Sequence, residues 1–206
     1  MNTFNVDDTA IILIDHQVGT NTWASTTPLQ LLQRNVVILA KFAKGTKMPV
    51  VLTSSQETNI DAQGPLMPEL QEILPEAFSA RIKREGVVNA WDDTSFANAC
   101  RNTGKRNFVM AGVTTDVCMV GPAINALSEG FNVKVVCDAC GSSESNCRGN
   151  GLAQDGTSRR ASHKHQRHCC GTRKKLGFTS RCGSVSPIDR LIKVGRKTFN
   201  THGLLL

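Results

Sequence analysis

Apolar and polar residues follow one another along the first two thirds of the chain in blocks that predict alternating strands and helices. Short apolar runs rich in β-branched residues are typical of strands buried on both faces. The predicted strands are Thr9 to Asp15, Met48 to Thr53, Phe78 to Ile82, Asn107 to Val113 and Val133 to Val136. Apolar positions at helical spacing predict helices over Leu29 to Ala43, Pro65 to Leu74, Asp93 to Arg101 and Val117 to Ser128.

Strands that alternate with helices indicate βαβ units, and therefore a parallel sheet with helices on both faces. The sequence thus predicts an α/β fold of three layers, helix on sheet on helix. In such sheets, reactive groups collect beyond the carboxyl ends of the strands. Asp15 and Thr114 both lie where a predicted strand ends.

The length of 206 residues fits one domain with a single core. The first residues, M-N-T-F-N-V-D-D, are polar and acidic rather than cationic and apolar, so no signal peptide is expected there. No apolar run approaches the roughly 18 residues of a membrane span. We therefore expect a cytoplasmic protein without a membrane partner.

Charge is divided sharply along the chain. Through Cys140 there are 11 Lys and Arg against 14 Asp and Glu, a net charge of −3, whereas the remainder has 13 against 3, a net charge of +10. That remainder also holds four of the five histidines and four of the eight cysteines. A basic tail can bind nucleic acid, but we do not expect a nucleic-acid partner here, because the charge has another explanation given below.

Two segments at strand ends carry candidate catalytic groups. In I-L-I-D-H-Q, the Asp15 carboxylate ends an apolar strand, which is costly unless the carboxylate is paired or used; the alternative is a helix cap or loop carboxylate. In A-G-V-T-T-D-V-C, Cys118 falls at the start of a helix, where the helix dipole favours a thiolate and should lower its pKa. The alternative is that Cys118 is a small buried packing residue.

A third segment, R-I-K-R-E-G-V-V-N-A-W-D-D from Arg81 to Asp93, places cations beside a polar and aromatic stretch. Taken alone, a charge run of this kind is usually a solvated loop. The order and spacing of the three segments resemble the isochorismatase-like hydrolases, which include nicotinamidases. The closest resemblance is to a short bacterial-type subgroup carrying D-H-Q, R-x-G-x-x-N-A-W-D and A-G-V-x-T-x-V-C, and it spans about residues 6–141.

The resemblance implies a Rossmann-like hydrolase domain over residues 1–141 and a catalytic triad of Asp15, Arg84 and Cys118. Lys83 remains an alternative to Arg84. It also implies a cis peptide bond between Val113 and Thr114, and an oxyanion hole made by the amides of Thr114 and Cys118. Asn89 and Trp91 are expected to shape the substrate pocket.

These roles predict hydrolysis of an amide or related C–N bond of a small molecule through a cysteine thioester. Enol-ether hydrolysis, in which the nucleophile is dispensable, is one alternative, and an inactive, truncated protein is another. Nicotinamidases carry an Asp and two His metal ligands after the second strand, but Thr53 to Glu69 contains no histidine. We therefore expect no metal and no cofactor, and the resemblance implies a homo-oligomer.

The tail, residues 142–206, does not continue this pattern. After D-A-C-G (Asp138 to Gly141) the family has a helix and a final strand, whereas the chain continues S-S-E-S-N-C-R-G-N-G without an apolar period. Back-translation from Asn146 onward, read one nucleotide later, permits strings that look like the missing helix and strand. The tail is therefore interpreted as frameshifted and poorly ordered, with the closing helix and strand lost.

Overall fold

A computed structural model of the chain describes residues 4–143 and 192–193. Five parallel strands form its main sheet, in the order β4-β3-β2-β5-β6. Their bounds are β2, Thr9–Ile14; β3, Val50–Ser55; β4, Ile82–Arg84; β5, Asn107–Gly112; and β6, Asn132–Val135. The predicted parallel sheet is therefore confirmed.

The two central strands lie fully inside the molecule. Every residue of β2 and β5 is buried, and the two strands pair in register from Thr9 with Asn107 to Ile14 with Gly112. Burial of both strand faces requires cover on both sides of the sheet, which explains the continuous apolar runs. After β2, the chain places β3 and then β4 on one side of β2 in the sheet, and later places β5 on the other side. A topological switch point therefore lies between β2 and β5, and ligands bind at such points in open α/β sheets.

In the described part of the chain, five helices connect and cover the strands: α1, Leu29–Thr46; α2, Pro68–Ile73; α3, Pro75–Ser79; α4, Thr94–Asn102; and α5, Val120–Ser128. The longest, α1, buries one apolar stripe and ends at Lys47, which is left-handed with φ 56°. Asp93 begins α4 by accepting hydrogen bonds from the amides of Ser95 and Phe96, and this satisfies helix donors that would otherwise be unpaired. Within residues 4–143 and 192–193, none of the helices combines the length and apolar character that a membrane crossing requires.

One predicted strand is wrong. Phe78 to Ile82 was expected to be extended, but Pro75 occupies the first position of α3 and the helix runs through Phe78. Proline favours that position because its fixed φ suits a helix and its missing N–H is not needed there. The strand begins only at Ile82 and extends to Arg84.

The structure describes little of the tail. Ile192–Lys193, strand β7, pairs in parallel with β1, Phe4–Asn5, in a separate two-stranded sheet. Those two residues are therefore placed in a strand, which was not expected. The predicted disorder and loss of the closing elements over 144–191 and 194–206 lie outside the described residues.

Candidate active site

Asp15 leaves the end of β2 in a left-handed conformation with φ 56°. Its amide donates a hydrogen bond to the carbonyl of Thr53, and its carbonyl accepts one from Gln17. The side chain is buried and pairs with Arg84. Burial raises the pKa of the Asp15 carboxyl, and the opposing effects of the Arg84 charge and of hydrogen bonds from Arg84 and Cys118 are smaller. Asp15 is thus a paired, buried carboxylate rather than a loop or capping group.

Arg84 ends β4 with its side chain fully buried beside Asp15. Its guanidinium bonds both carboxylate oxygens of Asp15, the hydroxyl of Thr53 at 3.0 Å and the carbonyl of Val87. Neighbouring strand residues face opposite sides, and Lys83 accordingly points away. The Lys83 side chain is 61% exposed and its ammonium lies 3.5 Å from Glu57. Of the two cations that the sequence left open, only Arg84 contacts Asp15.

Cys118 lies in a π-helical turn, Thr115–Met119, between β5 and α5. The thiol and the Asp15 carboxylate line the same cavity and influence each other's pKa. Burial, followed by the negative charge of Asp15, raises the pKa of Cys118 to about 12, while Arg84 and a backbone hydrogen bond from Thr114 act against this increase. The expectation of a lowered thiol pKa is therefore wrong, because burial and the neighbouring carboxylate outweigh the helix dipole.

The peptide bond between Val113 and Thr114 is cis, as expected. It turns the chain from the end of β5 into the Cys118 turn. The carbonyl of Thr114 accepts hydrogen bonds from the amides of Cys118, at 2.9 Å, and Met119, at 3.3 Å. In this conformation the Cys118 amide is already engaged, so its use in an oxyanion hole requires that this bond be shared or released.

Asn89 and Trp91 are not among the residues that line the cavity at Cys118, and their role in shaping the substrate pocket stays a prediction. Trp91 is buried, packs edge-on to Phe96 and Phe131, and donates from its indole nitrogen to Glu129 at 2.7 Å. Asn89 caps the turn that carries Trp91 by accepting from its amide at 3.2 Å. Both residues support the core beneath the site rather than its cavity.

A cavity of about 330 Å³ opens beside the Asp15, Arg84 and Cys118 side chains. Thr114 lies at the same cavity. Its remaining polar lining comes mainly from Thr20, Ser55, Gln56 and Gln63, and its apolar lining from Trp23, Val87, Val88 and Val117. The site therefore sits at the carboxyl ends of the strands, where the switch between β2 and β5 predicts it.

Sequence reasoning missed Thr20, which begins the short 3-10 helix Thr20–Trp23, and Gln63, which lies in a loop, because neither belongs to a periodic pattern. Gln17, which belongs to the motif I-L-I-D-H-Q, connects the segment at Gly64, next to Gln63, to the end of β3. Its side-chain amide donates to the carbonyls of Ser55, at 2.8 Å, and Gly64, and its oxygen accepts from the Ser55 amide at 2.9 Å. The only feature of the sequence that indicated these contacts was the polar side chain of Gln17 directly after Asp15 and His16. Among the described residues, no group of three His, Cys, Asp or Glu side chains is arranged to hold a metal ion.

Comparison with known proteins places this site in a family. The family model of the isochorismatase domain matches residues 9–157, well over half of the chain. The chain belongs to the isochorismatase family. The match extends beyond the expected boundary at residue 141, and its part after residue 143 lies outside the described residues.

Relatives within the family include the probable hydrolase YcaC of Escherichia coli K12, which is 41% identical over 135 residues, 66% of this chain and 63% of that protein. The structure of YcaC from Pseudomonas aeruginosa with hexane-2,5-diol and covalent acrylamide has a TM-score of 0.66 and 39% identity, covering 70% of this chain and 69% of its own. The Escherichia coli YcaC structure, described as an octameric hydrolase of unknown specificity, has a TM-score of 0.69 and 33% identity, covering 87% and 77%. The chain spans about 63% of the length of the curated relative it matches.

Proposed function

We propose that this protein hydrolyses an amide or related C–N bond of a small molecule through a thioester on Cys118. The observation that carries the proposal is the contact of the Cys118 thiol with a buried Asp15–Arg84 pair at a cavity of about 330 Å³. A nucleophile within hydrogen-bond reach of a base, which is itself oriented by a third group, is the arrangement that covalent catalysis requires.

In the first half of the reaction, the Cys118 sulfur attacks the substrate carbonyl carbon while the thiol proton passes to Asp15. The new S–C bond leaves negative charge on the carbonyl oxygen, which the Thr114 and Cys118 amides are proposed to stabilise. Collapse of this intermediate breaks the C–N bond. Asp15 gives the proton to the leaving nitrogen, so ammonia or an amine departs and the acyl group stays on sulfur.

In the second half, water attacks the thioester carbonyl and gives one proton to Asp15. The S–C bond breaks, the sulfur recovers the proton, and a carboxylic acid is released. The raised pKa of Asp15 suits this shuttle, because a carboxylate that is less reluctant to accept a proton is a better base near neutral pH. Arg84 keeps the carboxylate in place and offsets its charge.

The relatives support this proposal in two ways. The Pseudomonas aeruginosa YcaC structure contains covalent acrylamide, an electrophile that forms bonds with nucleophiles such as thiols. The Escherichia coli YcaC structure is that of an octameric hydrolase. We infer that this protein likewise forms a homo-oligomer, and light scattering after size-exclusion chromatography should give a mass of at least twice the 22.3 kDa of one chain.

The proposal is tested by ammonia release from a short primary amide, with the wild-type protein compared with Cys118→Ala and Cys137→Ala. Cys137 is a partly buried cysteine outside the cavity lining and is the matched control. We expect Cys118→Ala to abolish release and Cys137→Ala to retain it. Release that survives Cys118→Ala contradicts a thioester and favours chemistry in which the nucleophile is dispensable, such as enol-ether hydrolysis.

A further inference from the structure

Two residues that line the cavity each carry a buried polar atom without a hydrogen-bond partner among the described residues. These atoms are the hydroxyl oxygen of Thr20 and the side-chain amide oxygen of Gln63. Thr20 is only 2% exposed. Buried polar groups in proteins are almost always paired, and an unpaired one costs free energy until something supplies the missing bond. Because both residues line the cavity next to Cys118, a bound substrate can supply it.

The missing partner of Gln63 has to be a hydrogen-bond donor, since a carboxamide oxygen only accepts. A Thr hydroxyl can accept as well. The amide nitrogen of a substrate carries N–H donors, whereas an ester offers none at the equivalent oxygen. These two atoms therefore distinguish an amide from an ester that has the same acyl group.

The charges at the cavity exclude one class of substrate. Asp15 and Arg84 are the charged residues of its described lining, and they are paired with each other. Four of the five N–H donors of Arg84 are occupied, two by Asp15, one by Thr53 and one by Val87. No lining cation in the described part of the chain is left to pair a substrate carboxylate, and burying an unpaired charge is strongly unfavourable.

The wall of the cavity favours an apolar acyl group. Trp23, Val87, Val88 and Val117 all line it, and each is also partly exposed, up to 62% for Val88. An apolar substrate group that covers these side chains removes their surface from water. The volume of about 330 Å³ lies near the lower end of small-molecule pockets, which span about 300–1,000 Å³.

We propose that the substrate is an uncharged amide with a short apolar acyl group, and that Thr20 and Gln63 accept hydrogen bonds from its N–H groups. This inference rests on the proposed thioester chemistry at Cys118 and adds to it the substrate class and two specificity-determining residues. Both residues contact the leaving group, so their effect depends on whether that group carries an N–H.

The experiment compares three substrates: butyramide, methyl butyrate and succinamate. The first two share an acyl group, and the third adds a carboxylate. For the wild-type protein, we expect kcat/KM for butyramide to exceed that for succinamate by about tenfold or more. Thr20→Val and Gln63→Met should each lower kcat/KM for butyramide about three- to tenfold, the effect of one lost hydrogen bond, and should lower kcat/KM for methyl butyrate by a smaller factor.

Thr22→Val and Gln71→Met are the matched controls, because both side chains are exposed and outside the cavity lining. Neither control should change the ratio of amide to ester hydrolysis. Equal losses on amide and ester in both cavity variants, or succinamate hydrolysed as well as butyramide, would overturn the substrate assignment. If none of the three substrates acylates Cys118, the proposed thioester chemistry itself fails. If Cys118 is acylated but the Thr20 and Gln63 variants lose no more activity on the amide than on the ester, only the assignment of these two residues and of the substrate class fails.

Discussion

Asp15 and Cys118 compete for one proton, and the surroundings of each side chain decide where it resides. Burial raises the pKa of both groups, and Arg84 lowers both. With the pKa of Cys118 at about 12, the resting thiol is protonated near neutral pH. Its position near a helix start suggested a thiolate, since the sequence reveals neither the burial of the sulfur nor the carboxylate next to it. In the proposed mechanism, the proton is therefore transferred during attack, and the resting site does not hold a free thiolate.

Replacing Asp15 by Asn should separate thiol reactivity from catalysis. Loss of the carboxylate charge lowers the thiol pKa, and each pKa unit gives about tenfold more thiolate at pH 8. Iodoacetamide should therefore alkylate Cys118 faster in Asp15→Asn than in the wild-type protein. Turnover should nevertheless fall by about 10²–10⁴-fold, because the base is lost.

Peptide mapping after timed alkylation measures the first effect, and ammonia release measures the second. Asp61→Asn, a change at an exposed carboxylate outside the cavity lining, is the matched control and should alter neither. Slower alkylation together with lower turnover would show that Asp15 activates the resting thiol, contrary to this account.

Arg84 and Lys83 are adjacent in β4 but should respond very differently to substitution by Met. Arg84→Met leaves the Asp15 carboxylate buried without its cation, which typically costs about 3–5 kcal/mol. Lys83 makes an exposed ion pair with Glu57, and such pairs contribute about 0–1 kcal/mol. Urea unfolding of both variants gives the free energies directly. Comparable losses in the two variants would be incompatible with the buried pair described here.

At the level of elements, the site depends on how the segments after the strands are held together. His16 follows Asp15 and is fully buried, and its Nε2 lies 2.9 Å from the carbonyl of Ala139 in the segment after β6. Burial lowers the pKa of His16 from 6.5 to about 4, and the hydrogen bond with Ala139 opposes this only partly. The folded protein therefore holds a neutral imidazole between the ends of β2 and β6.

This arrangement makes the fold sensitive to moderate acid. Between pH 6.5 and about 4 the unfolded chain binds a proton at His16 that the folded chain does not, so stability is retained above this window and lost as the pH falls through it. From pH 7 to pH 5 the loss from this residue should be about 2 kcal/mol. His16→Gln removes the titration, so its free energy of unfolding should fall less over that interval. Parallel pH dependence in the two proteins, followed by urea unfolding, would show that His16 is not the group responsible.

Comparison of the predicted and observed elements shows which parts of the fold and of the site can be predicted from the sequence. The central strands were predictable because burial on both faces requires continuous apolar runs such as Thr9–Ile14. The strand predicted at Phe78 failed because the effect of Pro75 on the local backbone outweighed the apolar pattern. The packing of Trp91 was not predictable, because a buried aromatic residue has the same sequence pattern whether it packs in the core or lines a pocket. Thr20 and Gln63 depend on loop contacts that no local pattern encodes.

For the whole molecule, the main prediction concerns the contrast between the acidic residues through Cys140 and the basic tail, residues 142–206. β6 lies at one edge of the five-stranded sheet, and the elements that the family places after it fall in the segment interpreted as frameshifted. An uncovered sheet edge promotes association between strands of different molecules. Each large apolar side chain left in water costs roughly 1.5–3 kcal/mol, against a total stability of about 5–15 kcal/mol for a domain.

Restoring the reading frame by one nucleotide before codon 146 should therefore give a more stable protein. We expect the free energy of unfolding to rise by at least about 3 kcal/mol, corresponding to two covered side chains, and soluble yield to increase. Urea unfolding of the two proteins, expressed side by side, measures the difference. Equal stability, or a gene read that permits no such alternative frame, would mean that the tail belongs to the fold in a way that its sequence pattern does not indicate.

The central claim, a covalent thioester on Cys118, is tested most directly by intact-mass spectrometry of protein quenched in acid during turnover of butyramide. The account predicts an added mass equal to the acyl group, located on the peptide that contains Cys118, lost on treatment with hydroxylamine and absent from Cys118→Ala. The Cys137→Ala protein should carry the adduct as the wild-type protein does. Turnover without any adduct at Cys118, or an adduct on a different residue, would contradict it.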